Sequence, residues 1–133
     1  MKKIELLSPA GDFETLKMAI NAQADAVYLS GKNYGARKFA KNFTNEELVD
    51  AVKYAHLYGV KIYVTINTII YESEITDFLD YVLFLHEIGV DAVIMQDIGM
   101  IKLVREILPN LEIHASTQCH VHNNEGLELL KSL

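Results

Sequence analysis

The sequence changes its hydrophobic rhythm again and again. Short runs of β-branched and apolar residues alternate with longer stretches in which apolar residues recur every three or four positions, the periods of strand and helix respectively. "KIELL" (Lys3 to Leu7) reads as a first strand. The helix after it starts near Asp12, a good N-cap, and buries Phe13, Leu16, Ala19 and Ile20. "DAVYLS" (Asp25 to Ser30) is a second strand. In "TNEELVDAVKYAHLYG", Thr44 and Glu47 have capping-box spacing, Leu48, Ala51, Val52 and Ala55 form one stripe, and Gly59 suits a left-handed helix stop. "VKIYVTIN" (Val60 to Asn67) alternates Ile62, Val64 and Ile66 against Lys61, Tyr63 and Thr65. Ser73 is the expected cap of a third helix that carries Ile75, Phe78, Leu79, Val82 and Leu85 and stops at Gly89. "VDAVIMQD" is a fourth strand, and Ile101, Val104 and Leu108 mark a short helix ended by Pro109. "LEIHAS" is strand five, and Asn123–Asn124 opens a last helix.

Strands joined by helical crossovers run parallel, with right-handed connections. "QADAVYLSG" (Gln23 to Gly31) and "GVDAVIMQD" (Gly89 to Asp97) look like two copies of one unit: a small turn, an Asp and an apolar strand. No glycine-rich phosphate fingerprint follows any strand, which speaks against a dinucleotide-binding sheet. The fold class expected is α/β, a partial (β/α) barrel of TIM type with five parallel strand–helix units. A full eight-unit barrel takes about 250 residues, and five units in 133 residues fit that ratio. The expectation is a single domain over residues 1–133, the N-terminal portion of a barrel truncated in mid-helix at "LLKSL". An open parallel sheet leaves two edges unpaired and its inner face uncovered, so self-association through those surfaces is expected.

Charge and cysteine content narrow the function classes. A formal charge of −6 gives no general attraction to nucleic acid. The single cysteine cannot close an internal disulfide. No apolar run approaches the ~18 residues of a membrane span, and the run after the two N-terminal lysines is far shorter than a leader's core. The expected location is the cytoplasm, with no membrane partner. One segment departs from the acidic balance: "GKNYGARKFAKNF" (Gly31 to Phe43) sets Lys32, Arg37, Lys38 and Lys41 among Tyr34, Phe39 and Phe43.

In such a barrel, ligands meet the C-terminal strand ends and the loops after them. That rule selects a rim on which Ser8, Lys32, Arg37, Asn67, Gln96, Asp97, Ser116 and Gln118 are the expected substrate-binding residues. Arg37 offers a planar fork for carboxylate or phosphate, and the lysines are point charges. Tyr34 and Phe39 can stack on a ring. The plainer alternative is a solvated loop whose aromatics cover a helix edge. Asp97 has a second reading as N-cap of the following helix. Ser116 and Gln118 share one side of strand five, where polar groups need partners. The rim is rich in hydroxyls and amides, and no catalytic residue follows from it.

"IHASTQCHVHNNEG" (Ile113 to Gly126) gathers three histidines and Cys119. Zinc takes these ligand types, but His114 lies in a strand while Cys119, His120 and His122 crowd a loop, a poor match to ligand pairs with a longer gap. The favoured reading is a strand end running into a capped helix, with no metal site. A cysteine nucleophile needs a base within reach, and neighbours on extended chain point apart, which places His120 and His122 badly for Cys119. No nucleophile elbow surrounds Ser8, Ser30 or Ser116, and no HExxH pattern occurs. His56 and His86 fall on helices, where packing or surface roles are expected.

Several of these segments resemble one family. "ELLSPAGDFETLKMAINAQADAVYLSGKNYGARKFAKNF" (Glu5 to Phe43), "IYVTINTIIYE" (Ile62 to Glu72), "VIMQDIG" (Val93 to Gly99) and "IHASTQ" (Ile113 to Gln118) are similar, in order, to the start of the collagenase-like peptidase family U32. The resemblance implies the N-terminal part of a catalytic barrel, inactive alone, in a hydrolase acting on a peptide or anionic substrate at the barrel mouth. It also implies an alternative, because some relatives take part in hydroxylating RNA bases or quinone precursors with a cysteine-ligated iron–sulfur cluster. The cluster cysteines of the family lie beyond residue 133, and Cys119 does not match their positions. On that reading no cofactor belongs to this chain itself, and an iron–sulfur cluster and an RNA partner belong to the full-length protein. The family tends to carry an arginine in the loop of Arg37. A third alternative is a non-catalytic half-barrel acting as a binding or assembly unit.

Overall fold

In the computed structural model, residues 4–37 and 39–133 are described. Five strands, β1 (Leu7–Pro9), β2 (Ala26–Leu29), β3 (Lys61–Ile66), β4 (Ala92–Met95) and β5 (Glu112–Ala115), alternate with five helices, α1 (Phe13–Asn21), α2 (Asn45–Leu57), α3 (Ile75–Glu87), α4 (Ile98–Ile107) and α5 (Asn124–Ser132). The strands form one sheet in the order β1-β2-β3-β4-β5, and every neighbouring pair is parallel. Sequential order in a wholly parallel sheet is the progression of a (β/α) barrel. This chain is a partial one, open between β1 and β5.

Register sorts the side chains onto two faces. Val27, Ile62, Val64, Val93 and Met95 sit with Leu16, Leu48, Phe78, Leu85 and Val104 in the core between sheet and helices. The other face, which would look into a closed ring, carries Ala26, Tyr63 and Ala92 with Tyr28 and Ile94. Here Tyr63 Oη donates to Glu5 at 2.8 Å, Lys61 lies 3.5 Å from Glu5, and the His114 ring meets Tyr63 edge-on at 4.7 Å. Burial, then the Glu5 carboxylate, holds the Tyr63 phenol well above its usual range.

Local chemistry sets the element ends. Asp12 and Thr44 close capping boxes with Thr15 and Glu47, and Asn123 accepts from the Gly126 N–H at 2.8 Å. Gln23, Gly59 and Gly89 take left-handed conformations after α1, α2 and α3, and each passes the chain to a buried residue, Ala24, Val60 or Val90. The two look-alike segments do the same work. Asp25 accepts from the Leu6 N–H and its own N–H donates back to the Leu6 carbonyl. Asp91 makes the same two-way latch with Ile62.

Two expectations need correction. β1 is displaced from Lys3–Leu7 to Leu7–Pro9, with Lys3 outside the described residues. The Asp25 latch takes up Leu6, and ladder pairing begins at Leu7 opposite Ala26. Ser73 does not cap α3. It lies inside a 3₁₀ turn, Glu72–Glu74, where the Glu74 carboxylate accepts the Tyr71 N–H at 2.9 Å.

Candidate functional site

The C-terminal strand ends form a rim with the basic segment draped beside it. That segment is fixed at both ends and in the middle. The Phe43 N–H donates to Ser30 O and Gly31 pairs with Phe43. Phe43 is buried, and Tyr34 packs edge-on against Phe78 of α3 at 5.2 Å. Gly31 is glycine for want of space, since a β-carbon there would collide with the Tyr81 hydroxyl.

Asn67, just past β3, ties the rim together. Its Oδ1 accepts from the Ala36 N–H at 3.1 Å, and its Nδ2 donates to Ser116 Oγ at 3.3 Å. Ser116, buried after β5, also accepts from the Gln118 N–H at 3.2 Å. The structure thus brings Asn67, Ser116 and Gln118 into one hydrogen-bonded line that reaches the arginine-bearing loop. Arg37 is exposed at its end, and its carbonyl accepts from Asn42 Nδ2 and from the Ala40 N–H. Lys32 is exposed and lines a cavity of about 460 Å³ with Ala40, Lys41, Asn42, Thr44 and Glu47. Lys38 lies outside the described residues.

The other rim residues stand apart. Ser8 is in register with Val27, on the helix side of the sheet. Asp97 spends both carboxylate oxygens on main chain, one capping α4 through the Met100 N–H at 3.1 Å, the other taking the Ile70 N–H at 3.2 Å. Gln96 is half-buried, and its carbonyl accepts the Cys119 thiol at 3.4 Å.

The histidine–cysteine segment disperses. Its middle is a 3₁₀ turn, Thr117–Cys119, rather than extended chain. His120 follows in a left-handed conformation, and His122 Nδ1–H donates to its carbonyl at 2.7 Å. His114 is on the inner face, donating to Glu112 at 2.7 Å. Burial pushes the Cys119 thiol up, which keeps it protonated and a poor nucleophile near neutrality. Among the described residues no group of three or more metal-ligating side chains converges. An iron–sulfur cluster draws on several thiolates, and the one thiol here is engaged with two carbonyls, so the donor set of this chain does not fit one. Among the described residues, too, no helix is long and apolar enough to cross a membrane.

Sequence reasoning missed Tyr81, whose hydroxyl is buried without a hydrogen-bond partner beneath the basic segment. In the helical stripe it counts as one more apolar residue, so only its polar tip could have drawn notice.

Known proteins similar in sequence or in fold place the chain in one family. An uncharacterized protease of Methanocaldococcus jannaschii is 44% identical over 93% of this chain and 30% of its own length. A tRNA hydroxylation protein P1 of Bacillus subtilis is 41% identical over 98% of this chain and 31% of its own length. The chain therefore spans about a third of the length of each of these two relatives. A solved U32 peptidase structure superposes with a TM-score of 0.81 over 98% of this chain and 55% of that one, at 13% identity, a likeness of fold. The model of peptidase family U32 matches residues 11–133, and the chain belongs to that family.

Proposed function

We propose that this chain is the N-terminal portion of a longer barrel and supplies the RNA-facing rim of a U32 protein that takes part in RNA hydroxylation. The observation that carries the reading is the cationic loop of Lys32, Arg37 and Lys41, held over the strand ends by Asn67. Such a loop suits a polyanion, because Arg37 can grip a phosphate through two parallel N–H donors. The 41% identical tRNA hydroxylation protein supports the same choice. On this reading Ser116 and Gln118 contact the ligand near β5, and Asn67 positions the loop. Any iron–sulfur centre is held by cysteines from another part of the longer protein.

A peptide substrate is the second reading, favoured by the relative named a protease. Against it, among the described residues no serine or cysteine has a histidine within hydrogen-bond reach on the rim. The His56–Asp91 pair, at 2.8 Å, lies at the opposite, N-terminal strand ends.

The decisive experiment compares cells with and without the gene for the full-length protein, reading hydroxylated nucleosides in their RNA by mass spectrometry and gelatin hydrolysis by the purified protein. Loss of a hydroxylated nucleoside on deletion, restored by wild type but not by Arg37→Ala, is expected. Gelatin hydrolysis with unchanged RNA would overturn the assignment.

A further inference from the structure

The basic segment has three aromatics and treats them differently. Phe43 is buried and Tyr34 is packed on α3, so these two anchor the loop. Phe39, between them in sequence, is fully exposed at 106% relative accessibility. Large apolar rings gain by burial, so one held entirely in water on an anchored loop wants a flat partner. Arg37 and Lys41 stand two residues to either side of it in the chain. Arg37 is exposed, and Lys41 is largely exposed and only 3.7 Å from Asp12. Lys32 and Lys41 also share the adjoining cavity. The one carboxylate lining that cavity, Glu47, already accepts the Thr44 N–H at 2.8 Å.

We infer that Phe39 is a stacking platform for single-stranded RNA, one base lying on its ring while Arg37, Lys41 and Lys32 meet the flanking phosphates. This rests on the RNA reading above and adds the contact mode to it. An exposed ring on a cationic segment is the arrangement by which proteins hold single strands without reading sequence. A duplex, with its bases already stacked, has no free face to offer. The backbone around Phe39 is tied by the Ala40 and Asn42 bonds to the Arg37 carbonyl.

The test is fluorescence anisotropy of the full-length protein with labelled oligoadenylate about ten nucleotides long, for wild type, Phe39→Ala, Phe39→Trp and Arg37→Ala. Phe39→Ala is expected to weaken binding about ten- to a hundredfold with an unchanged salt slope, and Phe39→Trp to retain it. Arg37→Ala should weaken binding and flatten the salt slope. If Phe39→Ala binds as wild type while Arg37→Ala weakens, the platform falls and the RNA reading stands. If wild type has no affinity for the oligonucleotide, both fall. Equally tight binding of a polyglutamate peptide, with an equal loss in Phe39→Ala, also overturns base stacking.

Discussion

Gln23 does with a side chain what Gly59 and Gly89 do without one. All three sit in the left-handed region, at φ 65°, 70° and 88°, where a β-carbon costs about 1–2 kcal/mol. Gln23→Gly is therefore expected to raise stability by about 0.5–1 kcal/mol, after the flexibility that glycine adds to the unfolded chain. Gly89→Ala should lower it by a similar amount. Thermal midpoints of the two variants check both signs. Tyr81 makes a different case. Burial pushes its phenol up to about 12 from 10.0. As pH rises from 10 towards 12 the unfolded chain loses this proton while the folded one keeps it, so stability falls across that window, by up to about 2–3 kcal/mol. Tyr81→Phe removes a buried hydroxyl with no partner. It should leave neutral stability unchanged or about 1 kcal/mol higher and flatten the alkaline decline, as urea midpoints would show. None of this was legible in composition. Gln23 gives no sign of its conformation, and Tyr81 reads as an apolar position until its hydroxyl is found alone.

Caps and stops speak through their own neighbours, and elements bounded by them were readable. Thr44 with Glu47, Gly59 and Asn123 all act within a few residues, so their spacing carried the information. Ser73 misled for the same local reason, since the nearby Glu74 carboxylate closes a tighter turn first. The links that assemble the rim are invisible to spacing. Asn67 reaches Ala36 across 31 residues and Ser116 across 49, and no periodicity encodes such pairs. The Asp latches lie between these cases. The repeat of "DAV" was apparent, but its meaning needed the partner strand. Asp91→Ala strips the Ile62 N–H and His56 of their acceptor and should cost about 2–3 kcal/mol, read as a drop in urea midpoint. Asp91→Asn should recover part of that loss, because the amide oxygen can still accept.

The molecule as a whole was legible in outline because parallel order follows from alternation, and a barrel from the sum of its units. Its open side was legible too, from five units where a full ring takes eight; what covers that face is not written in the face. Among the described residues, β1 and β5 each leave one edge unpaired. Leu6 and Leu7 are exposed at one end, and Leu127 and Leu129 at the other. Residues 1–133 produced alone are expected to associate as concentration rises, through these surfaces. Leu127→Asp together with Leu129→Asp should shift sedimentation towards the monomer.

The paired latches also say where this chain can be divided. Asp25 clasps the strand before it and Asp91 clasps the strand before it, so each fastening lies wholly within one pair of adjacent strands. A break between β2 and β3 leaves two pieces, each with its clasp intact, whereas a break between β3 and β4 parts Ile62 from Asp91. Two co-expressed halves split in the first way should find each other and rebuild the sheet more readily than halves split in the second.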